Sequence, residues 1–227
     1  MIAATGLCLS LDGHTILDQV SFRVAAGESV ALVGPNGSGK TSILRCVLGL
    51  VPFTGQVRIH GGDVGREPIV ARSLMAYVPQ RAAFGDAPAR EVLTFVATLR
   101  HIERSRISGA LREVGLEAYA DERVRTFSGG MQQRLSLALA LLADTPILLL
   151  DEPSASLDRE GQEHFFAIVT RWRKQGRTLL LASHRPEEVE ALSDRVLHID
   201  RGRIENAPFP VGRAARVIAL GARGERR

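Results

Sequence analysis

Apolar positions along this chain follow two rhythms, and the switch between them predicts most of its elements. Over residues 5–33 they come in short runs broken by Asp12-Gly13 and Ala26-Gly27, which predicts strands at 5–11, 16–24 and 29–33. A helix is expected from 39 to about 48 with Gly49 as its stop, then strands at 56–60 and 74–78 separated by a Gly61-Gly62 connection. From 88 to about 116 the pattern turns helical, with Val92, Phe95, Val96 and Leu99, then Ile107, Leu111 and Val114, at helical spacing. This stretch reads as an inserted helical subdomain. Apolar runs at 147–150, 178–182 and 195–199 then alternate with helical segments at 160–174 and 186–192. Runs without polar alternation are buried on both faces, so this order predicts an α/β fold with a mainly parallel sheet covered by helices.

The chemistry enters at a turn between a predicted strand and a predicted helix. Gly34-Pro35-Asn36-Gly37-Ser38-Gly39-Lys40-Thr41 fits the pattern G-x-x-x-x-G-K-[ST], a phosphate-binding loop. Its glycines let the backbone close round an anion, so that N–H groups and a helix N-terminus face the β-phosphate of ATP. Lys40 reaches the β/γ oxygens, Thr41 is expected to ligate Mg²⁺, and Ser42 joins the ATP-contacting set. Among 29 Lys and Arg residues only Lys40 and Lys174 are lysines, so a compact ammonium at 40 breaks the chain's habit of using arginine. The apolar run at 147–150 ends in Asp151 and Glu152, which places two carboxylates where ligands of α/β sheets bind. Asp151 suits Mg²⁺ through its water shell, and Glu152 is the expected group to orient or deprotonate the water that attacks the γ-phosphate.

Composition changes this picture little. A chain of 227 residues with 45% hydrophobic and 24% charged positions holds one large or two small globular domains. The net charge of +4 comes with acidic residues interspersed among arginines, which reads as a solvated mixed surface, and no nucleic-acid partner is expected. Only residues 213–227 are one-sided. In the tail from 211 to 227, Val211, Ala214, Val217 and Ile218 recur at roughly helical spacing among arginines, a pattern weighed between lipid-headgroup contact and a frayed terminus. Cys8, expected in an edge strand, and Cys46, inside the helix after the phosphate loop, read as buried free thiols. The sequence has no signal-peptide pattern and no apolar run of bilayer length, which predicts a soluble, cytosolic chain.

With those residues in place, a family resemblance covers nearly the whole chain. Phe127-Ser128-Gly129-Gly130-Met131-Gln132-Gln133-Arg134, 17 residues before the acidic pair, resembles the signature motif of ATP-binding cassette (ABC) domains. Tyr77-Val78-Pro79-Gln80 is similar to the family's glutamine loop, Ser154 to Asp158 to the loop after its acidic pair, and His184 to its switch histidine. The resemblance implies a P-loop NTPase (RecA-like) core with an N-terminal antiparallel β subdomain. It implies one ABC ATPase domain over 1–206, with the helical subdomain inserted at about 83–142, and a basic tail at 207–227. Glu152, His184 and Gln80 take catalytic roles in it, and Thr41, Gln80 and Asp151 attend the metal. Head-to-tail pairing, with a second copy or a paralogous ATPase, lets Ser128, Gly129, Gly130 and Met131 contact the ATP held by the neighbour. Asp158 then links the two sites.

Two residues depart from the family pattern. Leu11 stands where an aromatic ring usually stacks on adenine, which predicts weaker base stacking and looser nucleotide selectivity. Phe127 and Met131 replace the commoner leucine and glutamine of the signature, and Met131 removes a polar group near the ribose. The family's transporter branch implies a separate integral-membrane permease docking on a groove of roughly residues 80–100, and hence a peripheral place on the inner face of the cell membrane. A non-transport ATPase, for example in metal-cluster assembly, shares every motif above and is the alternative.

Overall fold

The strand Ile147–Asp151 (β7) shows why the central sheet is so apolar: Leu148 and Leu150 face one hydrophobic core while Ile147 and Leu149 face another. Successive side chains of a strand point to opposite faces, so a strand covered on both sides is apolar along its middle and keeps polar residues such as Ser29, Asp151 and Thr178 at its ends. In this computed structural model, which describes residues 1–205, the same division holds for Ser29–Val33 (β3) and Thr178–Ala182 (β8). The tail positions Val211, Ala214, Val217 and Ile218 lie outside the described residues.

The six-stranded sheet runs β10-β9-β3-β8-β7-β6, where β6 is Met75–Val78, β9 is Arg195–Asp200 and β10 is Arg203–Glu205. Its central pairings are parallel, and only β10 is antiparallel, on the β9 edge. A second, antiparallel sheet has the order β2-β1-β4-β5, from Ile2–Leu11 (β1), His14–Val24 (β2), Thr54–Ile59 (β4) and Gly62–Asp63 (β5). One core lies between this sheet, the helix Lys40–Val47 (α1) and one face of the parallel sheet. The other lies beneath five helices: Ala89–Leu99 (α3), Arg106–Glu113 (α4), Gly129–Ala143 (α5), Arg159–Lys174 (α6) and Pro186–Leu192 (α7).

Several expectations meet a different outcome. Cys8 is not on an edge: β1 pairs with β2 on one side and β4 on the other, and its thiol is half-buried, accepting from Gln19 N and Nε2 at a β-bulge. Cys46 is fully buried, and desolvation pushes its thiol up to about 12. The helical stretch after residue 88 breaks at 100–105, where His101 has φ +55°, and ends at Glu113 in α4. Strands β5 and β10 and the helix Pro68–Ser73 (α2) gave no sequence signal. Two- and three-residue strands have no period to detect, and α2 has only six residues behind a proline at its first turn.

Candidate functional site

Parallel register aligns the ends of the strands that carry the candidate residues. Leu32 of β3 is level with Ala182 of β8, and Ala182 is level with Asp151 of β7. The loops that follow therefore open at one edge of the sheet: 34–39 after β3, 152–158 after β7 and 183–185 after β8. Glu152 N donates to Ala182 O at 2.8 Å and Ser183 N to Leu32 O at 3.1 Å, which stitches these loops together.

The loop after β3 has little room for side chains. A Cβ on Gly34 would stand 2.0 Å from Ile199 O, and one on Gly39, whose φ is +110°, would stand 2.7 Å from Leu17 Cδ2. Gly39 caps α1 without a side-chain bond and the first turn has no acidic residue, so the helix's first N–H groups meet no built-in anion. Ser38 Oγ is buried with no partner. Lys40, 6% exposed, donates to Gly34 O at 2.7 Å and Pro35 O at 3.1 Å and lies 3.9 Å from Glu152 Oε1. Burial lowers its pKa, against the opposing pull of Glu152 and Asp151.

The acidic pair is held in two different ways. Asp151, 1% exposed, accepts from Thr41 Oγ1 at 2.9 Å and from Tyr77 Oη at 3.0 Å. Burial pushes its pKa up while those two bonds pull against the rise. Glu152 sits at φ +46°, a left-handed conformation costly for a side chain of this size. Its Oε2 lies 2.8 Å from His184 Nδ1, off the line of a full hydrogen bond. A cavity of about 470 Å³ opens over these groups, lined by Asn36, Gly37, Gly39, Lys40, Thr41, Ser42, Gln80, Glu152 and Ile16. An oxygen-only pair of Thr41 and Asp151 beside an anion cradle fits a hard cation such as Mg²⁺, which takes one or two carboxylates and completes its shell with phosphates and water.

The structure thus brings Gly34 through Ser42, Gln80, Asp151, Glu152 and His184 together. It does not bring Ser128, Gly129, Gly130 and Met131 to the same cavity. Ser128 caps α5, its hydroxyl accepting from Met131 N at 3.3 Å, and is exposed. Asp158 caps α6 by accepting from Gly161 N at 2.9 Å. Sequence reasoning missed three contributors. Tyr77, in the Tyr77-Val78-Pro79-Gln80 motif, is level with Leu149 on the neighbouring strand, which sets its hydroxyl beside Asp151. Gln133 of α5, 4% exposed, donates to Pro79 O at 3.2 Å and so ties the signature helix to the residue before Gln80. Ile16 lines the cavity from a bulge that no alternation pattern marks.

A glycine-lined anion cradle at a helix N-terminus, with two consecutive carboxylates at the end of another strand of the same α/β sheet, defines a P-loop nucleotide-binding protein. Residues 17–155 match the family model described as ABC transporter. Over 210 residues the chain is 34% identical to the linearmycin resistance ATP-binding protein LnrL of Bacillus subtilis, covering 90% of this chain and 68% of that one. It is 36% identical over 194 residues to the zinc import ATP-binding protein ZnuC of Pseudomonas entomophila, covering 85% and 72%. A solved ATP-binding subunit of an ABC transporter superposes with a TM-score of 0.84 at 26% identity, covering 90% of this chain and 88% of that one. The chain belongs to the ABC transporter family, as one of its ATP-binding subunits. ATP hydrolysis is the general activity of that family.

Proposed function

We propose that this chain binds and hydrolyses Mg·ATP within a head-to-tail pair and drives a separate membrane subunit. The observation that carries the reading is that Lys40, Thr41 and Glu152 line one cavity, with Asp151 bonded to Thr41 and His184 Nδ1 2.8 Å from Glu152 Oε2. Lys40 and the free N–H groups of α1 hold the β- and γ-phosphates, and Thr41 and Asp151 hold Mg²⁺, which when bound neutralises charge on the phosphates. Glu152 orients and deprotonates the attacking water, Gln80 faces it across the cavity, and His184 contacts the γ-phosphate. One chain carries two half-sites, because Ser128, Gly129, Gly130 and Met131 line no part of their own cavity. A second copy or a paralogue turns them onto its neighbour's nucleotide, with Asp158 between the two sites. Dimerisation driven by ATP and parting after hydrolysis make a pincer.

Its output surface is apolar. Leu50, Ile69, Val70, Phe95 and Leu99 are exposed, and two arginines join the elements that carry them. Arg72 donates to Leu48 O and Gly49 O, and Arg100 to the carbonyls of Arg72, Ser73 and Met75. Such a patch fits an amphipathic helix of an integral-membrane permease. It takes in Phe95 and Leu99 of the 80–100 segment and reaches beyond it to α2 and Leu50. Among the described residues no helix is long and apolar enough to cross a membrane, so on this reading the chain sits peripherally on the inner face through its permease. The names of the relatives divide between zinc import and linearmycin resistance, and they assign no cargo here.

Glu152→Gln tests the proposal. The variant should bind ATP, lose turnover and elute as a stable nucleotide-bound dimer. Wild-type hydrolysis by that variant, or a strict monomer at saturating Mg·ATP, refutes it.

A further inference from the structure

Glu188 is a buried acid that the mechanism above does not use. It lies in the first turn of α7, four residues after His184, and is 0% exposed. A carboxyl group in such a place is costly unless something bonds it. Ser154 and Ser183 turn their hydroxyls toward it, but neither reaches the geometry of a full hydrogen bond, so both carboxyl oxygens lack a bonded partner. Burial first, and then the nearby Glu152 carboxylate, raise its pKa, against those two hydroxyls and the Arg185 charge.

The two serines belong to different loops. Ser154 follows Glu152 after β7, and Ser183 precedes His184 after β8. Each hydroxyl oxygen already accepts from Arg185: Ser183 Oγ from its backbone N–H at 3.1 Å, and Ser154 Oγ from Nη1 at 3.2 Å. A serine hydroxyl has one proton to give. With both oxygens already accepting, each hydroxyl has its proton left to give, and the carboxyl of Glu188 stands near both.

We propose that Glu188 is a positioning residue for hydrolysis, whose carboxyl draws the Ser154 and Ser183 hydroxyls together and thereby fixes Glu152 against His184. The assignment rests on the catalytic roles proposed above for those two residues. Its effect passes through geometry, since displacements of about 1 Å in a catalytic constellation cost up to roughly a hundredfold in rate. The nucleotide itself touches neither Glu188 nor the two serines in this scheme, so binding is spared.

The test combines steady-state hydrolysis with a double-mutant cycle. Glu188→Leu fills a similar volume and removes a buried carboxyl group, a change that buried sites often accept without loss of stability. It is expected to lower kcat roughly tenfold or more while the Kd for Mg·ATP stays within about threefold. Glu188→Gln keeps one acceptor oxygen and should recover most of that loss. Ser154→Ala should lower kcat in the wild-type background and have little further effect beside Glu188→Leu, because the pair acts as one unit.

Wild-type kcat in Glu188→Leu, parallel losses of kcat and ATP affinity, or additive costs of the two substitutions would each overturn the assignment. If Glu188→Leu shows no cooperative unfolding, the cycle is run with Glu188→Gln and Ser154→Ala: additivity overturns the proposal and non-additivity sustains it. Wild-type protein that binds but never hydrolyses Mg·ATP overturns both this proposal and the proposed function. Wild-type turnover with unaffected variants overturns only the role of Glu188.

Discussion

Tyr77→Phe removes one oxygen atom from the site and leaves the ring in place. In the nucleotide-free protein Asp151 is 1% exposed and accepts two side-chain bonds, from Tyr77 Oη at 3.0 Å and Thr41 Oγ1 at 2.9 Å. Without the tyrosine hydroxyl, Oδ2 becomes a buried carboxylate oxygen with no donor. Hydrogen bonds to charged groups contribute about 1.5–3 kcal/mol, and an orphaned buried acceptor costs a similar amount, so about 2 kcal/mol of stability should go. The phenyl ring still fills its place, so no cavity term is added. For a domain of this size each kcal/mol moves the thermal midpoint by about 2–4 °C, which makes the expected drop roughly 4–8 °C. Urea unfolding of the nucleotide-free protein at neutral pH gives the free energy directly, with the slope expected to stay unchanged. Tyr119→Phe is the control: Tyr119 is 41% exposed, and its change should stay within about 0.5 kcal/mol. Equal midpoints for Tyr77→Phe and wild type, or equal shifts in the two variants, would refute the reasoning that Tyr77 satisfies Asp151.

Other outcomes follow from the same geometry. Leu11 is 42% exposed and paired with His14 at the hairpin tip, in the hairpin that also carries the cavity-lining Ile16. Leu11→Tyr should tighten ATP binding by about two- to tenfold through base stacking worth about 0.5–1.5 kcal/mol, and an unchanged Kd by nucleotide titration would place the base elsewhere. Phe95 is 69% exposed, so Phe95→Asp should leave the unfolding midpoint within about 0.5 kcal/mol of wild type while a membrane partner no longer copurifies. Retained copurification would move the docking surface off α3. Burial raises the pKa of Glu28, but its bonds with Arg195 and the Ala25 N–H outweigh that and hold it below 4.5. A folded pKa below the unfolded one gives stability that is present above the unfolded value and lost as pH falls through the folded value. Glu28→Gln should therefore flatten the acid limb of a stability profile measured from about pH 7 to pH 3, and an unchanged limb would assign the acid sensitivity to other carboxylates.

The sequence by itself determined which segments form the buried strands of a mainly parallel sheet and the local chemistry of the phosphate loop. Leu148 to Leu150 are apolar because both faces of their strand are covered, and Gly34 to Thr41 are what a backbone needs to close round an anion; both are constraints a short window of residues can carry. Contacts that depend on register or on one loop meeting another had no such window. Tyr77 reaches Asp151 because β6 and β7 pair in parallel, Gln133 reaches Pro79 because α5 packs beneath β6, and Cys8 is interior because Thr54–Ile59 returns to pair with β1. Glu188 carries no signal of its own in the sequence, since nothing within a few residues of it shows burial. Only the tertiary structure placed it between the loops after β7 and β8, because burial and partnership at long range are properties of the packed whole and not of any segment.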